Sequence, residues 1–225
     1  MAVATEIFAL LDDCAATEAL PTSRLYTGFV RECRCDDPRR LDEVWSQAEA
    51  EMRAGRHAVV LADFEWGVRL QCGDAAALAP GEHGALRILL FSRLRHLSHQ
   101  AVDAWLGSRE REALAGLGNG DPVADGAPGP APAGICDLRP SLDRAAFEKA
   151  LSRIQEAIVA GETYQVNFTY RLDFRVLGSP LSLYRRLRAS QPVAYGAFLS
   201  LPSGVYPEEP AQVLSCSPEL FLRHQ

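Results

Sequence analysis

The stretch SLDRAAFEKALSRIQEAIVAGETYQVNFTYRLDFR, Ser141 to Arg175, decides how this chain is read. Its first half repeats apolar residues at Phe147, Leu151, Ile154 and Ile158. That spacing places one stripe on one helical face. Gly161 follows, the residue best suited to the left-handed position after a helix. From Tyr164 the period changes to two. Tyr164, Val166, Phe168, Tyr170, Leu172 and Phe174 fall on one side of an extended chain. Gln165, Asn167, Thr169, Arg171, Asp173 and Arg175 fall on the other. The spacing predicts a helix and then one long strand. Its polar row of amides, a hydroxyl and guanidinium groups suits a small polar anion. The same row is what the solvated face of an antiparallel sheet presents.

Working outward, Gly118 to Gly134 breaks the pattern with Pro122, Pro128, Pro130 and Pro132 among repeated glycines. Such a composition reads as a linker or insertion. Residues 1–117 form an amino-terminal α+β region, 118–134 the linker, and 135–225 the first part of a second domain. In the first region Asp37 caps a helix beginning at Pro38, with Leu41, Val44, Trp45, Ala48 and Met52 inward and Gly55 as its stop. Strands are expected at His57–Ala62, Val68–Cys72 and Leu86–Phe91, and Ser98 caps a further helix bearing Val102, Trp105 and Leu106. After the linker, Ser179-Pro180 opens a helix, Val193 to Ser200 and Gln212 to Ser215 read as strands, and Pro218 ends the last. Strands and helices mix without strict alternation, which favours an α+β fold with a largely antiparallel sheet.

Composition sets outer limits. The chain has 225 residues, 48% hydrophobic and 23% charged, with a formal net charge of -6. It carries ample material for a core, and its acidity argues against nucleic-acid binding. The amino terminus lacks a basic region before an apolar stretch. The apolar run Ala58–Ala62 falls far short of the ~20 residues that a membrane helix needs. A cytoplasmic location with no membrane partner is expected by elimination. The six cysteines include one Cys-x-Cys, Cys33 and Cys35, without a second pair at zinc spacing. They read as reduced core fillers. No His-Glu-x-x-His pattern occurs, so no metal ligands are assigned within the chain.

Three segments in order carry a resemblance. Gly161-Glu162-Thr163-Tyr164-Gln165-Val166-Asn167 resembles the YQVN strand of the chorismate-utilising enzymes. Leu183 to Arg188, leading to Pro192-Val193-Ala194-Tyr195-Gly196-Ala197-Phe198, resembles a helix and strand of that family. Ser215-Cys216-Ser217-Pro218-Glu219-Leu220-Phe221-Leu222 resembles its SxSPELFL segment. A looser likeness covers Gly55–Leu61 and Phe64-Glu65-Trp66. Within the family the chain looks like the amino-terminal half of the synthase component of aminodeoxychorismate synthases.

The resemblance implies a chorismate-binding fold of two packed, largely antiparallel sheets with surrounding helices, here truncated. It implies amination of chorismate to 4-amino-4-deoxychorismate in the 4-aminobenzoate branch of folate biosynthesis. Ammonia would come from a glutamine amidotransferase partner, and Mg²⁺ would be the cofactor. Glu219 becomes the acid/base candidate, because loss of the chorismate hydroxyl needs a proton and a carboxyl shielded from water is suited to give it. Gln165 stands where relatives that add water look to have a lysine. Ammonia is already a nucleophile, so an amide suits amination. Gln165, Asn167, Thr169, Arg171 and Ser217 are the substrate-binding candidates, Arg171 for its bidentate fork. As alternatives, Glu219 reads as a surface turn carboxylate, Gln165, Asn167 and Thr169 as structural polar groups, and Arg171 as a solvated arginine. Arg185, Arg186 and Arg188 read as a solvated face, and Tyr164 as core.

The family's attacking lysine lies in a Pro-x-Lys-Gly-Thr-like stretch after the position of Glu219, and its Mg²⁺ ligands lie there too. The one lysine here, Lys149, does not match. The expectation is therefore an incomplete portion, inactive alone and prone to associate through the open edge around Leu220-Phe221-Leu222. Anthranilate synthase component I and a non-catalytic binding module are the other readings.

Overall fold

The computed structural model describes residues 6–73, 84–116, 129–202, 204 and 211–222. In chain order it contains β1 (Phe8–Asp12), β2 (Ser23–Cys35), a 3₁₀ turn (Pro38–Arg40), α1 (Leu41–Arg53), β3 (His57–Ala62), α2 (Phe64–Cys72), β4 (Leu86–Leu97) and α3 (His99–Gly116). There follow β5 (Gly134–Pro140), α4 (Arg144–Val159), β6 (Leu172–Leu177), α5 (Pro180–Ser190), β7 (Tyr195–Ser200) and β8 (Gln212–Ser217). Six strands form one antiparallel sheet in the order β3-β4-β2-β1-β7-β8, and β5 and β6 form a separate antiparallel pair. The mixed composition and antiparallel pairing are those expected of an α+β chain.

The contacts divide the chain into two compact units, Met1–Asn119 with Leu187–Gln225, and Gly120–Arg186. The division does not follow the linker boundaries read from sequence. Residues 187–225 belong with the amino-terminal region because β7 pairs with β1, Phe8 opposite Ser200 through Asp12 opposite Gly196. Gly134, placed in the linker by its composition, is the first residue of β5.

The first unit is built on β4, whose residues Leu86 to Phe91 are all buried. Leu86, Ile88 and Leu90 pack with Cys33 and Cys35 of β2, Val44 and Ala48 of α1, and Trp66 of α2. Leu89 and Phe91 point to the other face and join Ala9, Tyr26, Val59, Leu199 and Leu201. A strand buried on both faces reads as a near-continuous apolar run, broken here by Arg87, which donates to both carboxylate oxygens of Glu32 at 2.8 and 2.9 Å. Phe8 stacks edge-on against Trp105 of α3 and Phe198 of β7, with ring centroids 5.1 and 5.2 Å apart. Register between β2 and β4 slips between Phe29 and Arg31. Gly28 just before it has φ +68°, and a Cβ there would lie 2.3 Å from Ser92 Oγ. The left-handed conformation and the close approach both demand glycine.

Local signals account for several helices. Asp37 accepts a hydrogen bond from the Arg39 amide at 3.0 Å and caps the turn that leads into α1. Gly55, at φ +85°, follows it. Ser98 Oγ accepts from the Ala101 amide at 3.1 Å at the start of α3. Asp143 caps α4 by accepting from Ala146 N at 2.7 Å, and Gly161 lies beyond its end at φ +75°.

Three expectations need correction. The long strand from Tyr164 to Arg175 reduces to β6, Leu172–Leu177, and residues 164–171 form no strand. An extended segment becomes a strand only when a neighbour pairs with its backbone. Among the described residues only β5 does so, opposite Leu172 to Leu177. The strand expected at Val68–Cys72 is helix α2, Phe64–Cys72, in which Trp66 is the buried residue. A short apolar run fits either period. Tyr164, read as core, is 91% exposed. Strands β1 and β2 at the amino terminus were not anticipated.

Candidate functional site

The helix α4 and the segment after it keep the two-sidedness written in their sequence, although residues 164–171 form no strand. On the apolar side, the Phe168 and Tyr170 rings each lie 5.7 Å from Phe147 of α4. On the polar side, Gln165 Nε2 donates to Asn167 Oδ1 at 3.3 Å, so alternate side chains still meet. Thr163 Oγ1 donates to the Gln165 carbonyl at 3.0 Å. Arg171 is held by its backbone, its carbonyl accepting from Ser141 N at 2.8 Å and its amide donating to Ser141 Oγ at 3.0 Å. The Arg171 side chain is exposed, as are Gln165, Asn167 and Thr169.

Among the described residues, two cavities of this unit are lined from the apolar side of the segment. The larger, about 650 Å³, is lined by Ala150, Arg153, Ile154, Glu156, Ala157, Ala160, Glu162, Val166 and Phe168. The smaller, about 280 Å³, is lined by Pro140, Leu142, Asp143, Arg144, Phe147 and Tyr170. None of the four polar-row candidates lines either one. The grooves separate α4 from its own downstream segment, and no α4 side chain is fully buried. The polar row is an open surface within this unit.

Ser217 and Glu219 belong to the other unit. Ser217 ends β8 opposite Tyr195 of β7 and is partly buried. Its hydroxyl donates to the Glu219 carbonyl at 3.1 Å, tightening the bend around Pro218. Glu219 is exposed, so the shielding that would suit its carboxyl to proton donation is not present in these residues. Leu220 and Leu222 are exposed, and Phe221 fully so. The structure thus brings Gln165 to Asn167 and Ser217 to Glu219, each within one unit.

Cys216, beside Ser217, has its thiol pushed up by burial, with the Asp12 carboxylate adding to the effect. Burial raises the Cys33 and Cys35 thiols as well. A raised thiol is a poor nucleophile and metal ligand, which fits the role of core filler. Among the described residues no group of three or more His, Cys, Asp or Glu side chains gathers as a metal ion would require. The described residues do not present a ligand set that fits Mg²⁺.

One charged centre went unread in the sequence. Arg188, assigned to a solvated face with Arg185 and Arg186, is buried at 7% exposure. Its Nε donates to Asp12 Oδ2 at 2.5 Å and its Nη1 to Asp103 Oδ1 at 2.6 Å. Its Nη2 lies 2.7 Å from His99 Nδ1 and 3.1 Å from the His99 carbonyl. Nη2 can only donate, so His99 Nδ1 is the acceptor. Asp12 is buried as well, at 4%. The signal lay in the spacing Leu181, Tyr184, Arg188, which puts the arginine on the stripe of the buried Tyr184.

Comparison with known proteins draws these observations together. A family model described as chorismate binding enzyme matches residues 6–225. The chain belongs to the chorismate-binding enzyme family. It is 33% identical over 170 residues to an aminodeoxychorismate synthase of Streptomyces griseus, covering 69% of this chain and 22% of that protein. It is 32% identical over 148 residues to an anthranilate synthase component 1 of Streptomyces coelicolor, covering 63% of this chain and 27% of that protein. A second aminodeoxychorismate synthase, from Streptomyces pristinaespiralis, is 39% identical over 85 residues, 38% of this chain and 11% of that protein. The matched stretches thus span about a quarter or less of these relatives. No solved structure matches. Among the described residues no helix is long and apolar enough to cross a membrane.

Proposed function

We propose that this chorismate-binding chain contributes to the amination of chorismate to 4-amino-4-deoxychorismate, on the way to 4-aminobenzoate and folate. The observation that carries the reading is Gln165. In a chain of this family it sets an amide, hydrogen-bonded to Asn167, where water-adding relatives look to have a lysine base. Ammonia needs no base to become a nucleophile. Gln165, Asn167, Thr169 and Arg171 hold the ring and carboxylates of chorismate, Arg171 through its fork. The hydroxyl leaves as water after taking a proton from the Glu219 carboxyl, and ammonia takes its place on the ring. A glutamine amidotransferase delivers the ammonia. Two packed antiparallel sheets enclose the substrate, in the cytoplasm. By itself the chain turns over little or no chorismate.

A second reading has a specific observation behind it. The Streptomyces coelicolor relative, an anthranilate synthase component 1, is as similar to this chain as the Streptomyces griseus aminodeoxychorismate synthase. The two reactions differ in the ring position aminated, and product identity separates them. One experiment tests both. Residues 161–222 replace the matching stretch of the Streptomyces griseus protein, and the chimera is given chorismate, ammonium and Mg²⁺. 4-Amino-4-deoxychorismate is expected, with kcat falling about 10²- to 10⁴-fold for Glu219→Gln. Anthranilate as the product moves the assignment to the second reading. Full activity of Glu219→Gln removes that residue from the chemistry, and robust turnover by the chain alone shows that its site is complete.

A further inference from the structure

Strand β6 pairs with β5 along one edge, and among the described residues no strand pairs with the other. The groups facing that open edge follow from where the strand begins. Arg171 directs its carbonyl and amide to Ser141, on the β5 side. Backbone groups alternate in direction along a strand. Those of Leu172, Phe174 and Val176 therefore point to the open edge. The side chains of the same three residues share one face, with Ile135 opposite Val176, and all four are exposed. The other face is charged. Asp173 lies opposite Arg139, and the Asp137 carboxylate bridges Arg175 at 2.8 Å.

An open edge of this kind accepts a further strand, and the residue pattern says which. Read about Phe174, the order apolar, acidic, apolar, basic, apolar is its own antiparallel complement. We propose that β6 is the docking surface for a second copy of this chain, the two β6 strands pairing antiparallel about a twofold axis at Phe174. In that register Phe174 meets its counterpart, Leu172 meets Val176, and each Asp173 meets an Arg175. The charged face of the four-stranded sheet then reads Arg139, Asp173, Arg175, Asp137, alternating in sign across the strands. The apolar face runs without interruption from Ile135 and Val176 of one copy to Leu172 and Pro140 of the other.

Neighbouring registers are penalised. A slip of one step on the same face sets Asp173 against Asp173, or in the other direction Arg175 against Arg175. A slip that changes face puts Phe174 beside a charged side chain. An unrelated partner strand would require no such self-complementarity, which is why the observations favour a second copy.

Sedimentation of the full chain over a micromolar concentration series tests this, with circular dichroism to verify that each variant is folded. A concentration-dependent dimer is expected. Asp173→Lys alone and Arg175→Glu alone each place like charges across the axis and weaken self-association by about tenfold or more. Mixing these two variants restores both opposite-charge pairs and should regenerate a one-to-one dimer of near wild-type affinity. In an otherwise unchanged chain, Phe174→Cys should give a disulfide-linked dimer through position 174 on mild oxidation, and Val176→Cys should not link to itself. A monomer at every concentration overturns the proposal. So does a dimer indifferent to both charge reversals, a mixture that fails to re-form it, or self-linking at 176 in place of 174.

Discussion

The two units of this chain treat the same kind of sequence pattern in opposite ways. In the unit built on β4, six consecutive residues from Leu86 to Phe91 are buried, on both faces of the sheet. In the unit holding α4 and β6, a helix with an apolar stripe has no fully buried residue, and every residue of β6 is exposed. Amphipathic periodicity states what a segment offers, and burial depends on a partner being there to receive it. The YQVN stretch that carries the family likeness sits in the unit with the less buried side chains. The polar groups proposed to hold substrate on this surface need further structure around them before water is excluded.

The contrast can be broken most directly at Arg188. Arg188→Ala removes the guanidinium that is paired with the buried Asp12, which should cost about 3–5 kcal/mol of stability. Denaturant unfolding of the variant measures this. A cost near zero would mean that water already reaches the pair and that the first unit is less closed than described.

A paired substitution sharpens the comparison between units. Leu90→Ala, at a side chain with 0% exposure, should lose about 2–5 kcal/mol. Tyr164→Ala, at 91% exposure, should stay within about 0.5 kcal/mol. Equal losses in thermal melts would show that the second unit has a core that its exposures conceal.

The smallest effect concerns the cap before α1. The Arg39 guanidinium and amide hold the Asp37 carboxyl down at about 2, below its ordinary 3.8. Because the folded value is depressed, the cap's contribution is complete above about pH 4. It is lost as pH falls through 2. Side-chain carbon shifts of Asp37 followed by NMR should titrate near 2, and a midpoint at 3.8 would show that the cap is not formed.

Much of the first unit's helical content was legible because its signals are local. Asp37, Ser98 and Gly55 act within a turn of the helices they bound, so a single sequence carries the information. The strand His57–Ala62 was legible from its composition. β1 and β2 were not, because the stretch from Ser23 to Cys35 mixes Arg24, Arg31, Glu32 and Arg34 into the apolar alternation. Its pairing depends on β4, distant in sequence. The 164–171 segment failed for the complementary reason. Its alternation is clear, but among the described residues no strand lies opposite it. Of the candidate site, the sidedness of Gln165 and Asn167 was readable, and the choice between a shielded Glu219 and a surface turn carboxylate was not. Arg188 was missed because a guanidinium on a helix is usually solvated, and only the tertiary placement of Asp12 and Asp103 draws it inside.

The double role of β4 has a mechanical corollary. Leu86, Ile88 and Leu90 belong to one hydrophobic cluster, and Leu89 and Phe91, threaded between them on the same backbone, belong to another. Neither cluster can loosen without pulling on the ribbon that anchors its neighbour. The layers on the two faces of that sheet are thereby tied into a single cooperative melting unit, and heat should find no intermediate in which one has dissolved and the other survives.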